Sequence, residues 1–414
     1  MSAKLRHEWP RRRLKYGATI NDEALPEDTD PNYELQYIDI GNVDSSGAVN
    51  EIASYRFEDA PSRARRIVRN GDVIISTVRT YLQAISPIVN PPANLIVSTG
   101  FAVVRPRTDV LDAQFCKYTL REVDFLAEVQ KRSTGISYPA INASDIGDIP
   151  VYLPPLPQQT IIANYLNKET ERLDRLVAAK ERLLDNIAEK RRTLIRQCVI
   201  RGMDPKASLR ESNIPWLGQI PAHWELERTK WLFKERDERS QTGEEELLTV
   251  SHLTGVTPRS EKDVNMFEAE TTEGYKVCYA GDLVINTLWA WMGAMGVSSV
   301  DGIVSPAYNV YTPGERLETA YVDALVRIPI FAQEATRYSK GVWSSRLRLY
   351  PEGFFEIWMP VPPKEEQREI VAHIAVETVK LDRLKTAAER TIALLKERRG
   401  ALIAAAVTGQ IEVM

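Results

Sequence analysis

Apolar positions along the chain follow two periods, and the change between them divides it. From 158 to 201 there is no Pro and no Gly, and Ile162, Leu166, Leu173, Leu176, Leu183, Ile187 and Leu194 recur at steps built from threes and fours. This spacing predicts one long amphipathic helix with a heptad-like seam, interrupted by Lys180 and Lys190. Pro154-Pro155 sets up its start, and Gly202 with Pro205 supplies its stop. A second such stretch, 365–408, carries Ile370, Ile374, Leu381, Leu384, Leu395 and Leu402. Forty-four residues at ~1.5 Å each make a rod of ~66 Å. A lone amphipathic rod has no core of its own, and the partner of matching length is its copy. The long segment between the two leaves their relative direction open.

The remainder alternates short β-rich runs with Pro, Gly and Asn punctuation, as at 72–78, 102–105, 282–288 and 308–311. Helical stretches near 110–130 and 318–338 complete an α+β reading.

The two halves repeat each other. Pro154-Pro155, Gln159, Ile162 and Leu166 match Pro362-Pro363, Gln367, Ile370 and Ile374 at a constant offset of 208, and Leu173-Asp174-Arg175-Leu176 matches Leu381-Asp382-Arg383-Leu384. Upstream the echoes drift: Gly71-Asp72 parallels Gly281-Asp282, Val97-Ser98 parallels Val304-Ser305, and Trp9 parallels Trp224. Each half is therefore a variable globular part followed by a helix of fixed length. The expected boundaries are 1–153 and 222–361 for the globular parts, 154–202 and 362–414 for the helices, and 203–221 for a linker.

Composition adds mostly exclusions. The 414 residues are 43% hydrophobic and 27% charged, which excludes a fibrous or wholly disordered chain. The formal net charge of −4 argues against a protein that coats DNA without selectivity, although local patches can still bind it. The basic N-terminus has no apolar run behind it, so a cytoplasmic location is expected. Cys116, Cys198 and Cys278 are too scattered for a zinc site or a disulfide framework.

Catalytic motifs are missing. There is no phosphate-binding Gly-rich loop and no nucleophile elbow, and His7, His223, His252 and His373 are isolated. Asn90-Pro91-Pro92-Ala93 approaches the Asn-Pro-Pro-aromatic motif of adenine methyltransferases, but Ala93 stands where a ring would stack on a flipped base. It reads as a proline-bearing loop between strands.

What remains is basic and aromatic. Arg63, Arg65, Arg66, Arg69 and Arg79 cluster in the first half. Two corresponding loops, 131–138 and 339–348, lie ahead of the Pro-Pro helix starts. Basic and polar side chains position a duplex through its phosphates and can read base edges. The candidate DNA-binding residues are Arg79, Lys131, Arg132, Ser133 and Tyr138 in the first half, and Trp289, Lys340, Trp343, Arg346 and Arg348 in the second. A solvated charged face is the competing reading for any single one of them, and a core position for the tryptophans.

The phrase Ile214-Pro-Trp-Leu-Gly-Gln-Ile-Pro-Ala-His-Trp224, the paired Pro-Pro…Gln…Ile helix starts and the Gly-Asp-hydrophobic strands resemble the specificity subunit of type I restriction-modification systems. The likeness spans nearly the whole chain, except that only Glu8-Trp9 is left of the Pro-x-His-Trp phrase ahead of the first domain. The resemblance implies two similar target recognition domains separated by two long helices packed as an antiparallel coiled coil, a pseudo-twofold repeat. It also implies a bipartite double-stranded DNA target with one half-site per domain, two methyltransferase subunits as partners, and restriction subunits that can join. On that pattern this chain is non-catalytic and holds no cofactor. S-adenosylmethionine, ATP and magnesium would belong to the partner subunits. B-DNA repeats every ~34–36 Å, so a rod pair of this length would act as a ruler between half-sites. Alternatives are a specificity subunit serving methylation alone, a coiled-coil scaffold that binds proteins, and a self-sufficient methyltransferase built on Asn90-Pro-Pro-Ala93.

Overall fold

The computed structural model describes residues 9–135, 137–261, 271–341 and 347–413. The chain forms two compact units, Met1–Glu181 with Glu389–Met414, and Arg182–Ala388. Each long helix, Leu156–Arg201 and Lys364–Val407, is continuous and is divided between the units near its middle. A unit is therefore one globular domain with the start of one long helix and the end of the other.

In the first unit a four-stranded antiparallel sheet runs in the order Ala18–Ile20, Phe101–Pro106, Val73–Ser76, Ile85–Pro87. The second unit repeats that order with Phe233–Arg236, Tyr308–Pro313, Leu283–Asn286 and Met295–Val297. One central strand of each sheet is fully buried, with the pattern Val73-Ile-Ile-Ser76 matching Leu283-Val-Ile-Asn286. This is why they read as continuous apolar runs without alternation.

A second sheet in the first unit pairs Glu34–Ile38 parallel to Leu95–Ser98, with Ala53–Arg56 and Ala64–Ile67 at its edges. The second unit holds the same arrangement in looser form. Leu248–Ser251 pairs with Gly255–Pro258, Lys276–Cys278 pairs with Gly302–Val304, and a parallel bridge from Leu247 to Ile303 joins the two ladders. The expected helical stretches appear as Ala113–Thr119 with Val123–Arg132, and as Thr319–Val326 with Pro329–Arg337. The repeat thus extends through the variable parts, as topology.

Within each unit the two helix segments run antiparallel. Near the start of the first helix, Ile162, Ala163 and Leu166 share a core with Ile403, Ala406 and Val407 from the end of the second. In the other unit Cys198, Val199 and Ile200 share a core with Ile370. Arg399 pairs with Asp174 at 2.9 Å in one unit, and Arg191 with Asp382 at 2.5 Å in the other.

The same clamp fixes both helix starts. Gln159 is fully buried; its Nε2 donates to the carbonyls of Val110 (2.9 Å) and Pro154 (2.7 Å), and its Oε1 accepts from the Asp112 N–H (2.8 Å). Gln367 does likewise with Arg316 (3.0 Å), Pro362 (2.8 Å) and the Glu318 N–H (2.8 Å). Both helices end at a glycine in the left-handed region, Gly202 at φ 71° and Gly409 at φ 76°.

Two sequence expectations change in detail. Of the seam residues, Ile162, Leu166, Leu173, Ile187, Ile370 and Leu381 are buried, but Leu176, Leu183 and Leu384 are exposed. Ile162, Leu166 and Ile370 join the domain cores, whereas Leu173, Ile187 and Leu381 are buried outside those clusters. Segment 203–221 is not a bare linker. It carries a hairpin of Leu209–Glu211 with Gln219–Pro221, and Trp216, Leu217 and Ile220 enter the second unit's core.

Candidate nucleic-acid interface

In the first domain, residues 77–84 cap the hairpin made by Val73–Ser76 and Ile85–Pro87. The cap is a 3-10 turn, Thr80–Leu82, held between two non-glycine residues in the left-handed region, Arg79 (φ 51°) and Gln83 (φ 52°). Such conformations cost energy and concentrate at functional sites. They also keep Tyr81 and Leu82 out in solvent.

A second loop locks against this tip. The Ile141 N–H donates to Thr77 O at 2.8 Å, Ala140 bridges to both Val78 and Thr134, and the Thr80 and Ser133 hydroxyls lie 2.9 Å apart. The Arg79 guanidinium sits 5.0 Å from the centre of the Tyr138 ring, and Tyr138 is 65% exposed. The fold therefore places the exposed Arg79 and Tyr138 beside a half-buried Ser133, whose hydroxyl also donates to the Val129 carbonyl at 2.7 Å.

Lys131 and Arg132 belong to the last turn of Val123–Arg132, where both pair with Glu128, at 3.4 and 3.2 Å. Arg132 foremost, with Lys131 beside it, holds the Glu128 carboxyl below its ordinary range. Arg132 also donates to the Asp145 carbonyl at 3.3 Å, so it is partly committed to holding the loop. Lys131 keeps its side chain 77% exposed.

The second domain uses the same scaffold with other side chains. Residues 287–294 cap the hairpin of Leu283–Asn286 and Met295–Val297. Trp289 occupies the position of Arg79 ahead of the 3-10 turn Ala290–Met292, and Gly293 (φ 87°) that of Gln83. Trp289 is half exposed and stacks on Trp291 at 6.3 Å with an 18° tilt. Its exposure places it at the surface, not in the core. The companion loop again docks on the tip: the Leu349 N–H donates to Thr287 O at 3.2 Å, and Lys340 and Arg348 exchange two backbone hydrogen bonds of 2.9 Å. Lys340 and Arg348 are exposed. Trp343 and Arg346 lie outside the described residues.

Two other arginines of the first-half cluster have side-chain partners away from the tip, and a third lies on a strand bridged to Ala24. Arg69 pairs with Glu23, Arg65 lies 4.6 Å from the Phe57 ring centre, and Arg66 bridges to Ala24. Sequence reading overlooked Tyr81, Leu82 and Gln83. Two apolar residues in a turn between buried strands were the available signal. Asn90 forms a turn (φ 46°) whose N–H donates to Asn70 Oδ1 at 2.8 Å, which fits the inter-strand loop expected there. Among the described residues no group of three or more His, Cys, Asp or Glu is placed to hold a metal ion, and no helix is long and apolar enough to cross a membrane.

No protein-family model and no curated protein matches the chain. Solved structures do. A chain from work on complex assembly and conformational transition of the type I R-M system aligns with a TM-score of 0.77 at 24% identity, covering 99% of this chain and 100% of that one. The HsdS subunit from Thermoanaerobacter tengcongensis aligns with a TM-score of 0.56 at 23% identity, covering 99% and 98%. The chain has the fold of type I restriction-modification specificity subunits, with two like domains and two long helices.

Proposed function

We propose that this chain is the sequence-reading specificity subunit of a type I restriction-modification complex. Each globular domain reads one half of a bipartite duplex target. The observation that carries this reading is the duplicated tip. A hairpin cap with a 3-10 turn, and a companion segment bonded to it, recur in both domains, with Arg79, Ser133 and Tyr138 on one and Trp289, Lys340 and Arg348 on the other. A common scaffold presenting different side chains suits two sequence readers better than one repeated structural role. Phosphate contacts would set the register, and base-edge contacts would select sequence.

On this reading methyl transfer, translocation and cleavage belong to partner subunits, two methyltransferases and, where present, restriction subunits. S-adenosylmethionine, ATP and magnesium act there, and this chain supplies choice of site and a scaffold. The test is long-read methylome mapping of cells that express the chain with its methyltransferase partner. The expected result is one new methylated motif of two short defined blocks separated by unread bases. A continuous motif, or none, overturns the reading.

A further inference from the structure

A cleft of about 510 Å³ opens beside the second domain's tip. Trp289, Tyr275 and Tyr308 line it with aromatic surface, and Asn286, His252 and Arg259 add polar groups. Trp289 thus belongs both to the exposed tip and to the cleft. Asn286 is buried, and its Oδ1 accepts from the Leu288 N–H at 3.2 Å. Burial raises the Tyr308 phenol above its ordinary range, with the charge of Arg259 opposing, and both residues line the cleft.

Aromatic walls, an amide able to bond a ring edge, and an arginine are the chemistry of a site for a planar heteroaromatic group attached to phosphate. We propose that this cleft receives a single base of the second half-site, unstacked from the bound duplex. The inference rests on the DNA-reading assignment above. A base still inside the helix exposes only its edges, so its faces can meet these rings only after extrusion.

The first domain is built differently at the matching positions. Arg79 stands for Trp289, the fully buried Phe101 for Tyr308, and Ser76 for Asn286, with the Ser76 hydroxyl already donating to the Val78 carbonyl. Extrusion is therefore expected in the second half-site alone, beyond any base that the methyltransferase itself modifies.

The test uses the full chain with its methyltransferase partner and duplexes carrying the mapped motif. At each unmethylated position a mismatch is placed opposite the motif base. A mismatch lowers the cost of extrusion, so at one position of the second half-site binding should tighten about tenfold. Trp289→Ala should remove that gain while the thermal melting profile stays that of the parent. If mismatches weaken or leave unchanged the binding at every unmethylated position, the extrusion is wrong although the domain still reads DNA. If binding ignores the second half-site altogether, the DNA-reading assignment falls, and this inference with it.

Discussion

Arg105 grips Asp72 with two hydrogen bonds, Nε to Oδ1 at 2.9 Å and Nη2 to Oδ2 at 2.8 Å, across adjacent strands of the first domain's main sheet. The second domain keeps the buried aspartate as Asp282 but takes its arginine from the opposite edge strand. Arg236 bonds Asp282 at 2.8 and 3.2 Å, and Thr312, at the position of Arg105, donates to the same carboxylate at 3.0 Å. The two aspartates are 1% and 2% exposed, and neither could keep its charge there unpaired. The cation moved between strands, and the charge balance stayed.

This swap makes a stability prediction. Arg236→Ala leaves a buried carboxylate short of its main partner and should cost about 3 kcal/mol. Adding Thr312→Arg restores the first domain's arrangement and should recover more than half of that. Chemical denaturation of the single and double variants checks it. The absence of any recovery would mean that the backbone admits the arginine from one strand only.

Gln159 and Gln367 should be equally sensitive. Alanine at either position orphans one buried carbonyl, one part-buried carbonyl and one N–H, for a loss of about 2–4 kcal/mol. Gln159→Glu should be at least as damaging at neutral pH, because a carboxylate would face the Val110 and Pro154 carbonyls that now accept from Nε2. Thermal melts read the effect. Full tolerance of Glu would show that the clamp is not what holds the helix start.

The three cysteines set an alkaline limit. All are buried, and burial pushes each thiol above its ordinary range, that of Cys278 to about 12. A thiol with a raised folded pKa favours the folded state below the unfolded value of roughly 8.5 and loses that advantage as pH rises toward the folded value. For Cys278 stability should therefore decline between about pH 8.5 and 12, by up to ~1.4 kcal/mol per pH unit. Denaturation midpoints at pH 8, 9 and 10 measure the slope. Thiol reagents at pH 8 should find no fast-reacting group in the native chain and three in denaturant.

At the first domain's tip, Arg79→Ala should act in one of two distinguishable ways. If Arg79 reads a base edge, one position of the first half-site relaxes, at about 1–3 kcal/mol. If it binds phosphate, affinity falls uniformly and the salt dependence of binding becomes shallower by roughly one unit of slope. No effect on motif or affinity would remove Arg79 from the interface.

Inserting or deleting residues near Lys180 or Ala388 alters the long helices where they pass from one unit to the other. If these helices set the gap between half-sites, the number of unread bases should change while both half-site sequences persist. Methylome sequencing decides it; an altered half-site with an unchanged gap defeats the ruler.

Local grammar made much of this protein legible. Proline pairs, helical spacing and a near-constant offset between halves act over a few residues or recur in register. The two long helices, the duplication and the buried strands at 73–76 and 283–286 could therefore be read without a structure. Gln159 and Gln367 stood out as matched positions, but nothing local revealed the carbonyls they hold. The offset also pairs Arg79 with Trp289, yet only the docking of loop on hairpin tip shows why that position matters. Arg65 and Arg69 looked equivalent to Arg79 because composition cannot tell a cation engaged elsewhere in the domain from one held beside an exposed tyrosine.

By itself, then, the chain's pattern determined a twice-used α+β module with a rod attached to each copy, because short-range periodicity and repetition are properties of the order of residues. Tertiary structure alone decided two things: that Leu176, Leu183 and Leu384 stay outside the core, and which strand supplies each aspartate's arginine. Each is a contact between residues far apart in sequence. Whether such a contact forms depends on burial and on the alignment of strands and helices, which the order of residues does not display.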